Sequence, residues 1–160
     1  MIATEFFDYQ RRHPPVGVGG RCSPALQQLL TTLHRRWSTE SLGCFGPRAI
    51  RGGELPSTHS YGAAVDVNYG DAHAPEHVQL CGYLVAWSEE WGIQAIHDYV
   101  ECRIWRAGRT TNPAEACSKW WRAQRPDSNG MGSEWAHWLH VEVRPDRWAD
   151  YRTEAQRNIT

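Results

Sequence analysis

Ser57-Thr58-His59-Ser60-Tyr61-Gly62-Ala63-Ala64-Val65-Asp66 puts one imidazole, His59, and one carboxylate, Asp66, on a single short segment, with a glycine and two alanines between them. The run from Gly62 to Val67 reads as a buried strand. Side chains alternate across a strand, so Gly62, Ala64 and Asp66 share one face while Val65 and Val67 share the other. The valines suit a core. The opposite face has little bulk before Asp66, which leaves room for a bound group. His59, in the turn-like segment before the strand, can fold back over that face.

A second period-two segment lies far along the chain, at Trp138-Leu139-His140-Val141-Glu142-Val143. Leu139, Val141 and Val143 form its apolar face, and Trp138, His140 and Glu142 form the other. If the two strands are neighbours with their valines in the core, Asp66 and His140 point to the same open side. Neutral imidazole and carboxylate are zinc ligands, and a catalytic zinc site commonly takes three protein ligands plus a water. The expected metal site is therefore His59, Asp66 and His140 around one Zn²⁺. Taken singly, each histidine is an ordinary polar residue; the joint pattern carries the reading.

Ser57-x-His59-x-x-Gly62-x-Ala64-x-Asp66 resembles, position by position, the signature of zinc peptidases that cut peptidoglycan stem peptides. These are the D-alanyl-D-alanine dipeptidases and carboxypeptidases and the phage L-alanyl-D-glutamate endopeptidases. Lysostaphin-type peptidases and the hedgehog signalling domain share their fold. Gly52-Gly53 is similar to a glycine pair that precedes the signature in some members, and Trp138-x-His140-Val141-Glu142 resembles the second motif, which holds the last ligand. The likeness spans roughly residues 45–145. It implies a small α+β domain of the hedgehog/DD-peptidase kind, with helices packed on one face of an antiparallel sheet and zinc on the other.

The resemblance also implies roles. Zinc polarises the scissile carbonyl and activates water, and a nearby base moves the proton to the leaving amine. Relatives often carry Asp or Glu three residues before the last ligand, but here that position is His137. A histidine can move protons near neutrality. Because three residues is odd parity in a strand, His137 must sit in a bend to face the metal. Glu134 competes for the role, and an alternative frame makes His137 the ligand and Glu134 the base. Glu142 shares the face of His140 and is a further candidate, either as base or as the residue orienting that ligand. Upstream, Arg48, or failing it Arg51, is expected to bind a substrate carboxylate or steady the oxyanion.

The 160 residues suit one domain over 1–160, with an irregular lead-in over about 1–20 and a polar tail over about 145–160. A hydrophobic content of 41% and nine tryptophans exclude a disordered chain. With a formal net charge of −1, no global field draws the chain to nucleic acid or to an anionic membrane. No apolar run is long enough for membrane insertion. Met1 to Gln10 does not read as a signal peptide, so synthesis in the cytoplasm and release to the wall by another component are expected. The protein is expected to act as a monomer. Five widely spread cysteines without a C-x-x-C pair are expected to be mostly buried thiols, with a disulfide after export left open.

Along the chain, Ser23 reads as a helix N-cap and Pro24 as the first helical residue, with Leu26, Leu29, Leu30, Leu33 and Trp37 at helical spacing. His34 is expected to be exposed beside that stripe. Residues 41–45 read as a strand. A helix is expected from Pro75 to about Glu90, with Val78, Cys81, Leu84, Val85 and Trp91 on its inner side and Gly92 as its cap. His73 and His77 read as surface residues. Ile93 to Asp98 reads as a strand, with His97 facing either way. Ile104-Trp105 reads as an edge strand and Asn112 to about Ala123 as a helix. Arg106, Arg109, Trp120 and Trp121 are candidates to line a groove.

The function these readings converge on is zinc-dependent cleavage of a stem-peptide or crosslink bond in peptidoglycan by a phage-type lysin. A non-catalytic, zinc-folded binding module of the hedgehog-like type is the alternative. A general intracellular metallopeptidase or amidase is a third reading.

Overall fold

A computed structural model describes residues 22–46, 48–49, 54, 56–69, 75–107, 121–127 and 130–144. Arg51, Gly52-Gly53, His73, Arg109, Asn112, Cys117 and Trp120 lie outside the described residues, as do the lead-in and the tail. The described chain is α+β. Its strands are β1 (Glu40–Gly43), β2 (Ala64–Asn68), β3 (Ile93–Asp98), β4 (Arg103–Arg106), β5 (Arg122–Ala123) and β6 (Trp138–Val143). They form one six-stranded sheet in the order β1-β2-β6-β3-β4-β5, with every pairing antiparallel. Helices α1 (Pro24–Trp37), α2 (Pro75–Ala86) and α3 (Ser88–Trp91) accompany it, with a short 3₁₀ turn at Thr58–Tyr61.

Local chemistry accounts for α1. The Ser23 hydroxyl accepts from the Leu26 amide, Pro24 occupies the first turn, and Ser38 ends the helix in the left-handed region. Leu26, Leu29 and Leu33 are fully buried and His34 is exposed. They meet Leu80, Leu84 and Val85 of α2 and the sheet residues Val65, Val67, Ile96, Leu139, Val141 and Val143 in one core. The apolar parity of β2 and β6 thus turns inward under the helices, and the other parity is left for the site.

Several elements differ from the sequence reading. The strand expected from Gly62 begins at Ala64. Gly62 has φ +62° and closes the 3₁₀ turn by donating its N–H to the His59 carbonyl, so it cannot lie on the strand face. The strand expected over 41–45 is Glu40–Gly43, and all four of its residues are exposed. The single helix expected to Glu90 breaks at Trp87 into α2 and α3, and Gly92 caps the second piece. Its inner stripe matches at Cys81, Leu84 and Val85 but not at Val78. Val78 is 66% exposed, while His77, Leu80, Cys81, Leu84 and Val85 face the core. Ile104-Trp105 is not at the edge, because β5 pairs outside β4. The helix expected to reach Ala123 is contradicted at its end, where Arg122–Ala123 is that added strand. Most of that expected helix lies outside the described residues.

The cysteines follow expectation in part, Cys81 being a buried thiol. Cys22 and Cys44 form a disulfide, whereas Cys81 and Cys102 are thiols. Cys22 immediately precedes the cap of α1 and Cys44 immediately follows β1, so the antiparallel docking of those elements brings the pair together with Cα atoms 5.4 Å apart.

Candidate metal centre

The register of β2 against β6 sets the centre. Asp66 lies directly opposite His140, with Ala64 opposite Glu142. On the other side of β6, His97 of β3 lies opposite His140. The third imidazole arrives from the 3₁₀ turn. There the Ser57 hydroxyl accepts from the His59 amide, and the Ser60 hydroxyl donates to the carbonyl oxygens of Gly46 and Arg48. The Gly46 amide also donates to the His59 carbonyl. These bonds stitch the loop after Cys44 to the turn and fix His59 over the sheet.

The result is a tight cluster. His59 Nε2 lies 3.1 Å from His140 Nδ1 and 3.5 Å from Asp66 Oδ2, and His140 Nδ1 lies 2.8 Å from Asp66 Oδ1. His59, Asp66 and His140 each offer one ligand atom within 4.8 Å of the others, so together they could hold a metal ion. His140 Nε2 lies 3.1 Å from Glu142 Oε1. Glu142 also accepts from the Thr58 hydroxyl at 3.2 Å and from the Gln94 amide at 3.3 Å. Holding His140 through Nε2–H turns Nδ1 towards Asp66 and His59, which is how an outer carboxylate orients a ligating histidine.

The electrostatics are those of a cation between two carboxylates. Burial works against charge on Asp66, but hydrogen bonds from His140 and His59 outweigh it and hold the carboxyl well below the usual range. Burial likewise opposes ionised Glu142, and the His140 bond again wins. Burial would depress His140, yet its bonds to Asp66 and Glu142 raise it to about 9. The imidazolium thus occupies the position of positive charge that a divalent ion could take by displacing the Nδ1 proton. Burial pushes His97 down to about 4, so this neighbour is a neutral ring at neutral pH.

Comparison with protein-family models, with curated proteins and with solved structures finds no match.

The centre opens into a cavity of about 630 Å³, of the size that small-molecule and peptide sites take. Arg48, Arg106 and Arg125 line it, as do His97 and His137. His137 sits in the bend before β6, exposed, with Nδ1 2.6 Å from the Trp135 carbonyl. Glu134 is exposed and is not among the lining residues. The frame that makes His137 the ligand and Glu134 the base does not match this arrangement, because His140 and not His137 meets Asp66 and His59. Trp121 lies away from the lining, with the Arg103 guanidinium 4.6 Å over its ring.

Sequence reasoning left His97 undecided and did not anticipate Thr58, Gln94 or Arg125. The parity of β3 could have placed His97, since Ile96 must face the core. A second cluster was missed altogether. His77, Cys81 and Asp98 are all buried on the helix side of the sheet. The i, i+4 spacing of His77 and Cys81, together with Asp98 sharing the parity of Ile96, was the available signal.

Proposed function

We propose that this chain is a zinc-dependent peptidoglycan hydrolase of the hedgehog/DD-peptidase kind that cleaves a peptide bond in the stem peptide or crosslink, as a phage-type lysin does. One observation carries the reading: His59, Asp66 and His140, set at the signature spacing, converge within ligand distance at the floor of a cavity. The donor set of two imidazoles and one carboxylate fits Zn²⁺, and Glu142 supplies the outer carboxylate that such sites use. Bound there, Zn²⁺ would polarise a carbonyl oxygen and bring the pKa of a water down towards roughly 7.

The chain's own residues supply the rest. His137 donates Nδ1–H to the Trp135 carbonyl, which leaves the Nε2 lone pair as the acceptor for a proton from the attacking water. As the carbon–nitrogen bond of the peptide breaks, the same nitrogen returns that proton to the departing amine. Glu142 is a weaker candidate for base, because its oxygens already accept from His140, Thr58 and Gln94. Arg48, on the cavity rim, takes a substrate carboxylate, and Arg106 and Arg125 add positive charge to the same cavity. Stem peptides carry free carboxylates that such a lining complements.

The second reading is a non-catalytic zinc-folded module. The observation favouring it is that no carboxylate stands three residues before His140, and Glu134 lies outside the cavity lining. Zymography on purified peptidoglycan separates the two. Clearing by the zinc-loaded chain, lost on chelation and lost in a His137→Ala variant that still retains zinc, supports the hydrolase. Absence of clearing by a zinc-loaded, folded chain supports the module. Mass analysis of the released muropeptides then identifies the bond.

A further inference from the structure

On the helix side of the sheet, α2 presents His77 and Cys81 one turn apart over Asp98, the last residue of β3. All three are buried, at 3%, 2% and 0% exposure. His77 Nε2 lies 3.1 Å from Asp98 Oδ2, and Cys81 Sγ lies 3.9 Å from the same oxygen. The three donor atoms fall within 4.8 Å of one another. Ligands about 2.0–2.3 Å from a tetrahedral ion are separated by roughly 3.3–3.8 Å, so the cluster needs only small shifts to close on one.

Independent of that spacing, the Tyr69 hydroxyl is sealed from solvent without a hydrogen-bond partner, and His77 Nε2, equally sealed, is set against the Asp98 carboxylate. The Tyr69 ring stacks on His77 at 4.5 Å and 9°, which locks the imidazole over Asp98. An imidazole nitrogen, a thiol and a carboxylate oxygen held face to face in a sealed site are donors that one cation can share.

Arg103 is the one cation at the cluster among the described residues. Its Nε donates to Asp98 Oδ2 at 2.8 Å, while the Glu101 amide donates to Oδ1 at 3.2 Å. Each carboxylate oxygen has a second lone pair, so Oδ2 can accept from Arg103 and still ligate. The guanidinium is a quarter exposed and rests on the Trp121 ring, and one of its terminal nitrogens lies 3.9 Å from Cys81 Sγ. From there it can offset the negative charge of a metal-bound thiolate. With His77 neutral, the carboxylate and the thiolate balance a divalent ion, and Arg103 keeps its solvent-facing charge.

We propose that His77, Cys81 and Asp98 form a second, structural site for a thiophilic divalent transition metal such as Zn²⁺, tying α2 to the end of β3. On binding, the Cys81 proton is released and a sulfur–metal bond forms, with no change of oxidation state. This site is independent of the hydrolase reading.

Cobalt substitution tests it, because only a cysteine-containing site gives a thiolate-to-cobalt charge-transfer band. The metal-stripped chain is titrated with Co²⁺ and followed by absorption and metal analysis. Two ions per chain and a charge-transfer band are expected, with the band lost in Cys81→Ser. A His59→Ala/His140→Ala variant, which removes the first centre, is expected to keep one ion and the full band, and it decides the matter even if Cys81→Ser fails to fold. No band in either the parent chain or that double variant overturns the site, as does a band that survives in folded Cys81→Ser. Failure to cut peptidoglycan leaves these readouts unmoved.

Discussion

The two faces of the sheet carry clusters built from similar residues, yet their surroundings are opposite. On the cavity face, His59, Asp66 and His140 sit beside a second carboxylate, Glu142, and Asp66 keeps 24% of its side chain exposed. Positive charge at that centre comes from the His140 ring itself. On the helix face, Asp98 is fully buried and already paired with Arg103. Similar donors in such different surroundings suit different roles. An open cluster rich in carboxylate suits exchange of ions, water and substrate. A sealed cluster with its own guanidinium suits holding secondary structure together.

The largest expected difference between the faces is in stability. In the metal-free chain, Asp98→Asn strips Arg103 of its buried partner and should cost about 3–5 kcal/mol by denaturant unfolding. Asp66→Asn should cost less, about 1.5–3 kcal/mol, since His140 keeps Glu142. Equal losses would erase the contrast. Next comes Glu142→Gln, which leaves the ligands of the cavity face in place but weakens the acceptor that orients His140. Metal affinity there should fall roughly 10–100-fold in a chelator competition. An unchanged affinity would mean that Glu142 does not orient His140 for the metal.

A smaller effect concerns pH. The His140 pKa is raised to about 9, so its contribution to the metal-free fold is complete below the unfolded value of about 6.5 and is lost as pH rises through about 9. The His97 pKa is lowered to about 4, so the unfolded chain takes up the extra proton and stability falls as pH drops from about 6.5 towards 4. Metal-free stability should therefore peak near 6.5 in thermal melts across pH. Metal at the cavity face should remove the alkaline limb, because the Nδ1 proton is then already displaced. The smallest effect is expected at Val78, which is exposed on α2. Val78→Ala should stay within about 0.5 kcal/mol of the parent, whereas truncating its buried helix neighbour Leu80 to Ala should cost about 2–5 kcal/mol.

The residues that were legible in the sequence owe their placement to local rules. Ser23, Pro24 and the leucines of α1 follow from capping and 3.6-residue spacing. Val65, Val67, Leu139, Val141 and Val143 follow from alternation, and that alternation also put Asp66 and His140 on one face. What escaped depends on contacts distant in sequence. At the start of α2 Val78 reads as core and His77 as surface, and only Asp98, from another element, makes burying His77 favourable. The Cys22–Cys44 bond joins residues whose proximity exists only once α1 and β1 dock. Gly62 reads as part of a strand of small residues, but its left-handed φ belongs to the turn that delivers His59. Gly132 is similar. Its φ is +72°, and a Cβ there would strike Cys102 Sγ, a constraint invisible until the loop before β6 packs on the β3–β4 turn.

Zinc-edge anomalous diffraction from crystals of the zinc-loaded chain examines the cavity face at the level of single atoms. A peak is expected about 2.0–2.2 Å from His59 Nε2, His140 Nδ1 and an Asp66 carboxylate oxygen, with Glu142 still bonded to His140 Nε2. Density showing no ion there, with His140 still hydrogen-bonded between its two carboxylates, would contradict the metal centre.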